Sequence, residues 1–290
     1  MGNNNLTLFK KYTPLLDQVY KMAGLTAKLD GAPEDFKAGN NANEVIIQKM
    51  TMQGLSKYDR NAGYTHGTVS IVPETKKYNY ERGRMFTVDT MDNEETAGLA
   101  FGRLAGEFIR LKVAPEIDAV RFAQYAGTDG VTAPNAADLS GEAWYKALST
   151  AMSDMSDMEV PLEDRHLFIT VFGKQTIDDM DLTKSKAIMG GFASVTVVPT
   201  SRFYTAVTLD EGTEEGGWKA TSGANKLNFM IIHKPALIQT LKHVDVKVIT
   251  PQANQDADAW KFGYRVYGLN EVYDNKKSGI YVHRSTATAQ

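Results

Sequence analysis

The run AGLAFGRLAGEFIR, residues 97–110, constrains the fold more than any other stretch of this chain. It has helical periodicity, yet Gly98, Gly102 and Gly106 recur at every fourth position. Each interior glycine costs a helix about 0.8–1 kcal/mol relative to alanine. Asp92 and Glu95 form a capping-box-like start, and Gly127 and Gly130 stop the pattern after Ala126. The spacing therefore predicts a helix over 92–126, roughly 50 Å long at about 1.5 Å per residue, with a kink at Pro115. Its wheel has two apolar faces. Phe101, Leu104, Phe108, Leu111 and Pro115 form a bulky one; Gly98, Gly102, Gly106, Ile109, Val113 and Val120 form a flatter one. Arg103, Glu107, Arg110, Asp118 and Arg121 fall on the polar stripe between them. A helix apolar on two sides must be covered on most of its circumference. The glycine groove admits a close backbone, from the same chain or from another.

A second segment has the opposite problem, since it has nothing to lie on. EVIIQKMTM, TVSIV and parts of KKYNYERGRMFTVD read as strands, separated by the polar turn QGLSKYDRNAGYTHG. From Leu55 to Arg84 there are six basic residues (Lys57, Arg60, Lys76, Lys77, Arg82, Arg84) against three acidic ones, with few aliphatics. A two-stranded ribbon is marginal alone in water and needs a supporting surface. Residues 92–126 hold six acids and four bases, so the helix and the ribbon carry opposite net charge.

The remainder mixes helices and strands. Residues 1–40 read as an arm with one short amphipathic helix and a Gly/Pro/Asn-rich loop. AWYKALSTAMSDMSDME predicts a helix, HLFITV, SVTVVPTSRFYTAVTLD and LNFMIIH predict strands, and KPALIQTLKH predicts a short helix. VKVIT, WKFGYRVYG and GIYVH are strand-like. The 290 residues, 42% of them hydrophobic, support a packed α+β unit.

Chemistry is thin. No cysteine is present, which excludes disulfides and thiolate chemistry. Net charge is −3, which gives no general argument for wrapping nucleic acid or an anionic membrane. The first residues, MGNNNLTLFKKY, lack the apolar core of a secretory signal, and no run is apolar enough to span a bilayer. His66, His166, His233, His243 and His283 make no metal-ligand spacing, and there is no phosphate-binding glycine loop or nucleophile elbow. EGTEEGGWKATSG is Gly-rich but acidic and reads as a surface loop. The acids of SDMSDMEVPLED and IDDMD read as solvated faces. Asp256 and Asp258 begin a cation-loop pattern that lacks its glycine and its final glutamate, so polar contacts are the expected role. No catalytic residue, metal ligand or cofactor is expected.

Two long stretches carry a resemblance. YNYERGRMFTVDTMDNEETAGLAFGRLAGEFIRLKVAPEIDAVRFAQYA resembles the core of the major capsid proteins of tailed bacteriophages. NQDADAWKFGYRVYGLNEVYDNKKSGIYVH is similar to their C-terminal end. The order of elements between them agrees, so the resemblance covers nearly the whole chain. It implies the Hong Kong 97-like fold: an N-terminal arm (1–40), an extended β-ribbon loop (41–88), a peripheral domain with the long spine helix (89–139), an axial domain (140–244) and returning peripheral strands (245–290). It implies a structural protein, not an enzyme. The protein would form hexamers and pentamers of an icosahedral shell around double-stranded DNA, assembled in the host cytoplasm and located in the virion.

On this reading the ribbon lies on a neighbouring subunit, and neighbouring material covers both faces of the helix. Lys57, Arg60, Arg82, Arg84, Gly98, Gly102, Gly106, Asp256 and Asp258 are the candidate subunit-interface residues, with Arg60, Arg82 and Arg84 pairing with carboxylates of another subunit. Some relatives begin with a long charged scaffolding segment that this sequence does not show, so a separate scaffolding protein is expected, together with a portal and room for a cement protein. No position matches the Lys–Asn crosslink of some relatives. Two other readings fit parts of the sequence: a shell of the same fold that packages cargo protein, and a soluble α+β hydrolase using an acidic cluster such as Asp256 and Asp258.

Overall fold

The computed structural model describes residues 24–31, 37–38, 44–61, 63–91, 106–180, 182–211 and 217–289. Two sheets and one helix organise them. Strand β1 (Lys37–Ala38) pairs with β2 (Glu44–Met52), which pairs antiparallel with β3 (Val69–Lys77). This ribbon is separate from β4 (Tyr80–Asp89). Strands β5 (Arg165–Thr170) and β6 (Ser194–Val198) are followed by the small hairpin β7 (Val207–Leu209) and β8 (Trp218–Ala220). The long strands β9 (Asn225–His233), β10 (Leu237–Ile249), β11 (Ala259–Val272) and β12 (Ile280–Thr288) complete the set. One sheet has the order β10-β11-β4 and is wholly antiparallel. The other has the order β12-β9-β5-β6, with β5 and β6 parallel.

The four-stranded sheet is buried on both faces. Along β5, Leu167 and Ile169 point to one side and Phe168 to the other, as the two-residue strand period requires. On the first side they meet Trp144, Leu148, Ala151 and Met155 of helix α2 (Glu142–Asp157). These residues follow helical spacing, so one stripe of α2 makes the whole contact. Helices α3 (Val171–Met180) and α4 (Leu182–Met189) form the crossover that parallel strands need, and Ile177 joins the same core. On the second side Phe168, Met230, Ile232 and Val282 pack on Phe122 and Tyr125 of helix α1 (Ala114–Ala126).

Helix α1 thus stands between the two sheets. Ile109, Val113 and Ile117 face Phe262, Tyr264 and Val266 of β11. The flatter apolar face of the described helix is covered by the same chain, whereas the bulky face is left partly open at Leu111. Gly98 and Gly102 lie outside the described residues. At Gly106 a Cβ would meet no atom of a described residue within 4 Å, so among the described residues nothing approaches this glycine closely.

The kink expected at Pro115 takes a definite form. Ile109–Val113 is a π-helical turn that leads directly into α1. Pro115 has no N–H to give to Leu111, and its ring crowds that carbonyl. The wider turn relieves both problems.

Two expectations need correction, the KPALIQTLKH helix and the exposure of the polar stripe, and two strand pairings bear on the expected divisions. KPALIQTLKH is no helix: a 3₁₀ turn at Lys234–Ala236 leads into β10, whose residues pair with β11 along its length. Long-range pairing outweighs local helix propensity there. The ribbon ends at Lys77, and β4 belongs to the body, paired with β11. Strand β12 completes the sheet of β5 and β9, while the expected axial–peripheral division at 244/245 falls inside β10. Asp118 and Arg121, placed on the polar stripe of α1, are 0% and 1% exposed.

Residues 25–31 lie across that stripe. Asp118 accepts hydrogen bonds from Leu25 N (2.9 Å), Thr26 N (3.0 Å) and Thr26 Oγ1 (2.7 Å). Arg121 donates to Thr26 Oγ1, Asp30 Oδ1 and Asn270 Oδ1. Burial pushes the Asp118 carboxyl above its ordinary range, opposed by these donors and by the Arg121 charge.

Candidate assembly interface

The ribbon begins in the body. Val45 is buried with Ile238 and Leu269, flanked by Ile47, Tyr78 and Tyr273. Tyr78 stacks on Tyr267 with ring centroids 4.7 Å apart, and the Lys242 ammonium sits 4.9 Å from the Tyr78 ring. Lys76 reaches Glu74 at 2.8 Å, Asp274 at 3.5 Å and Glu271 at 4.0 Å. Burial alone would lower the Lys76 pKa, but these acids, led by Glu74, raise it overall. Burial pushes the Glu271 carboxyl up. These contacts fix the root of the ribbon.

Beyond the root it is bare. In the antiparallel register Met50 lies opposite Ile71, Met52 opposite Val69 and Gln48 opposite Pro73. Side chains two residues apart share a face, so Met50, Met52, Val69, Ile71 and Pro73 form one apolar surface. Met50, Met52, Val69 and Ile71 are 52–68% exposed. The opposite face carries Lys49, Thr51 and Ser70 beside a single Val72. At the tip Leu55, Tyr58 and Tyr64 are exposed, the two tyrosines meeting edge to face at 4.9 Å. Lys57 and Arg60 are exposed beside them and form no ion pair with a described residue. The ribbon is amphipathic across its two faces, and among the described residues nothing covers the apolar one.

The body has an open groove of about 790 Å³ between β4, the π-helical turn that leads into α1, and the β7–β8 hairpin. Phe86, Phe108, Leu111, Trp218 and Tyr264 give it apolar walls, and Arg84 and Lys112 line it as well. Phe108 and Leu111 belong to the bulky apolar face seen in the sequence; Leu111 remains 54% exposed. The flatter face is the one turned into the core.

Arg82 closes one end of this groove from within its own chain. Its Nε donates to Glu116 Oε1 at 2.9 Å, and its Nη atoms donate to the carbonyls of Asp210 and Gly217 at 2.8 and 3.0 Å. Tyr80 also donates to Glu116. The partner of Arg82 is therefore internal, in contrast to the expected pairing across subunits. A basic residue at this position gives no hint in sequence that an acid thirty-odd residues away meets it; only the helix–sheet crossing brings them together.

Asp256 and Asp258 lie together on the exposed loop before β11 with different tasks. Asp256 pairs with Lys261, whose hydrogen bond and charge hold the carboxyl below its usual range. Asp258 accepts from Thr90 Oγ1 at 3.0 Å, and its carbonyl accepts from Thr90 N at 3.1 Å, tying the end of β4 to the start of β11. Neither lines the groove. Asp178 pairs with Lys174 and accepts from Ser185. Among the described residues no group of three His, Asp or Glu is arranged to hold a metal ion, and no helix is long and apolar enough to cross a membrane.

No protein-family profile matches the sequence, and no curated protein is similar to it in sequence. Similarity is found among solved structures. A virus-like particle from Pyrococcus furiosus aligns with a TM-score of 0.60 at 12% identity, over 95% of this chain and 99% of that one. The capsid of Myoviridae phage XM1 aligns with a TM-score of 0.57 at 11% identity, over 91% and 92%. A protein of Mycobacterium phage Che8 aligns with a TM-score of 0.56 at 15% identity, over 84% and 85%. The described α+β chain has the Hong Kong 97-like fold found in tailed-phage major capsid proteins.

Proposed function

We propose that this chain is the structural subunit of an icosahedral shell, built from hexamers and pentamers of itself and enclosing double-stranded DNA in a virion. The observation that carries the reading is the ribbon: Met50, Met52, Val69 and Ile71 form an apolar face that the chain leaves exposed. A monomer gains nothing from such a surface, whereas a contact with a second copy buries it. The groove of Phe86, Phe108, Leu111 and Trp218 offers an apolar receptor of the same chemistry. Methionine suits such a contact, because its flexible side chain adapts to neighbours set at slightly different angles. Lys57, Arg60, Arg84 and the Asp256–Asp258 loop supply the polar rim in this reading, and the spine-helix glycines, Gly106 among them, retain their proposed place in subunit contacts. A separate scaffolding protein, a portal and a cement protein are the further partners that the resemblance implies.

A second reading keeps the shell and changes the contents. The likeness to the Pyrococcus furiosus virus-like particle favours it as much as the phage likeness favours DNA. Nucleic acid or protein recovered from purified particles separates the two.

The test of the shell itself is a double variant, Met50→Glu with Ile71→Lys, which puts opposite charges on a directly paired position of the ribbon. Both positions are exposed, so the subunit should keep its circular dichroism spectrum, and its stability within about 0.5 kcal/mol. Size-exclusion chromatography and electron microscopy should show megadalton particles for the parent and only small species for the variant. Normal shells from the variant would remove the ribbon face from the account.

A further inference from the structure

A cluster of cations and hydroxyls lies at the edge of the four-stranded sheet, away from the ribbon and the groove. Lys28 is carried there by the 3₁₀ turn Ala27–Leu29. Its ammonium donates to Ser194 Oγ at 2.6 Å and to Thr196 Oγ1, and lies 5.1 Å from the Phe168 ring. Ser194 and Thr196 share one face of the edge strand β6. His166 is the register partner of Ser194, and its Nδ1 is 2.7 Å from Ser194 Oγ. Its Nε2 is buried with no hydrogen-bond partner. Lys234 donates to the Lys28 carbonyl at 2.9 Å, and its charge acts on His166.

The charges around the cluster do not balance. No described carboxylate forms an ion pair with Lys28 or Lys234. Among the described residues, the charges that act on the two histidines there, His166 and His233, are Lys28, Lys234, Lys276 and Arg165 on the positive side and Asp164 on the negative side, and His233 also acts on His166. The Arg165 guanidinium turns elsewhere, to the carbonyls of Pro161 and Val160. Half-burying a lysine without a counter-charge is unfavourable, and burial lowers the Lys28 pKa accordingly. Lys28, Lys234, Ser194 and Thr196 are all partly open to solvent, so a small ligand can reach them.

We propose that Lys28, Lys234 and His166, with the hydroxyls of Ser194 and Thr196, form a binding site for one phosphate-type oxyanion. Ammonium and hydroxyl donors in one cluster are the chemistry such an anion takes, and charge-assisted hydrogen bonds are about twice as strong as neutral ones. The anion supplies the negative charge the cluster lacks. A bound anion favours the protonated His166 ring that its surroundings disfavour when the site is empty. The site goes beyond the shell reading and does not depend on it.

Inorganic phosphate is the probe. At pH 6.5 and matched ionic strength it should raise the thermal midpoint of the full chain, where chloride does not. Lys234→Gln should weaken phosphate at least about tenfold, the loss of one charge-assisted contact. Lys234→Arg should retain binding, which controls for folding. Lys219→Gln, on the distant β7–β8 hairpin, should change nothing. Absence of a phosphate-specific shift overturns the proposal, and so does a shift that Lys234→Gln leaves intact or that Lys219→Gln reduces equally. Competition by a short DNA duplex, lost in Lys234→Gln, assigns the anion to a nucleic-acid backbone. Failure of the duplex to compete assigns it to free phosphate.

Discussion

His283 is 6% exposed, stacked on Phe229 with centroids 5.0 Å apart. Its Nδ1 lies 3.1 Å from Asn228 Nδ2, an N–H donor that also reaches the Ala137 carbonyl. A proton on Nδ1 would face that donor. Burial, and then the charge of Arg284, hold the ring below its ordinary pKa of 6.5. Burial does the same for His166 and His233. The sign follows from linkage. The unfolded chain takes up these protons near pH 6.5 and the folded chain resists, so the unfolded state binds more protons. The stability contributed by neutral histidines is complete above about pH 6.5 and is lost as pH falls through the folded values. The thermal midpoint in chloride buffer should therefore drop between pH 7 and pH 5.5. His283→Gln, which keeps a polar side chain beside Asn228, should flatten that slope. An unchanged slope would mean that His283 does not contribute to it.

Helices α2 and α3 meet where Gly173 faces Trp144. A Cβ at Gly173 would sit 2.3 Å from Trp144 Cζ3. The indole cannot retreat easily, because it is 2% exposed and its Nε1 donates to the Leu139 carbonyl at 3.0 Å. Two effects compete in Gly173→Ala. Helix propensity favours alanine by about 1 kcal/mol, while overpacking costs about 1–3 kcal/mol. Backbone and ring are both held, so the steric cost should win by about 1–2 kcal/mol. A urea midpoint lowered at unchanged slope would show it; a raised midpoint would show that the indole moves freely. This contact also marks what sequence can reveal about elements. The stripe of Trp144, Leu148, Ala151 and Met155 is local, and the helix it predicts is present. The ribbon strands were legible from alternation, and their lack of a core was legible from composition. Where β4 pairs was not legible, since KKYNYERGRMFTVD is equally strand-like in ribbon or body and only β11 decides. Nor was the fate of Asp118 and Arg121, whose polar identity hid the segment at 25–31 that covers them.

At the scale of the whole molecule, the body and the ribbon obey different rules. The body has layered cores around α1, with both sheets packed on it. The ribbon has a fixed root and an uncovered length: nine residues of β2 alone extend about 30 Å at roughly 3.3 Å per residue. A compact 290-residue domain has a radius of gyration of about 19 Å. The isolated subunit should exceed that value. The Met50→Glu, Ile71→Lys variant, expected to stay folded and unassembled, is the chain for this measurement. A second chain in which residues 51–70 are replaced by a two-residue turn then isolates the ribbon's share. Solution scattering should give a smaller radius for the shortened chain, and limited proteolysis should cut the parent within 53–68 before it cuts the body. Equal radii, with the tip protected from protease, would mean that the ribbon folds back on its own subunit. The exposed apolar face would then be satisfied internally, and the molecule would be complete without a second copy.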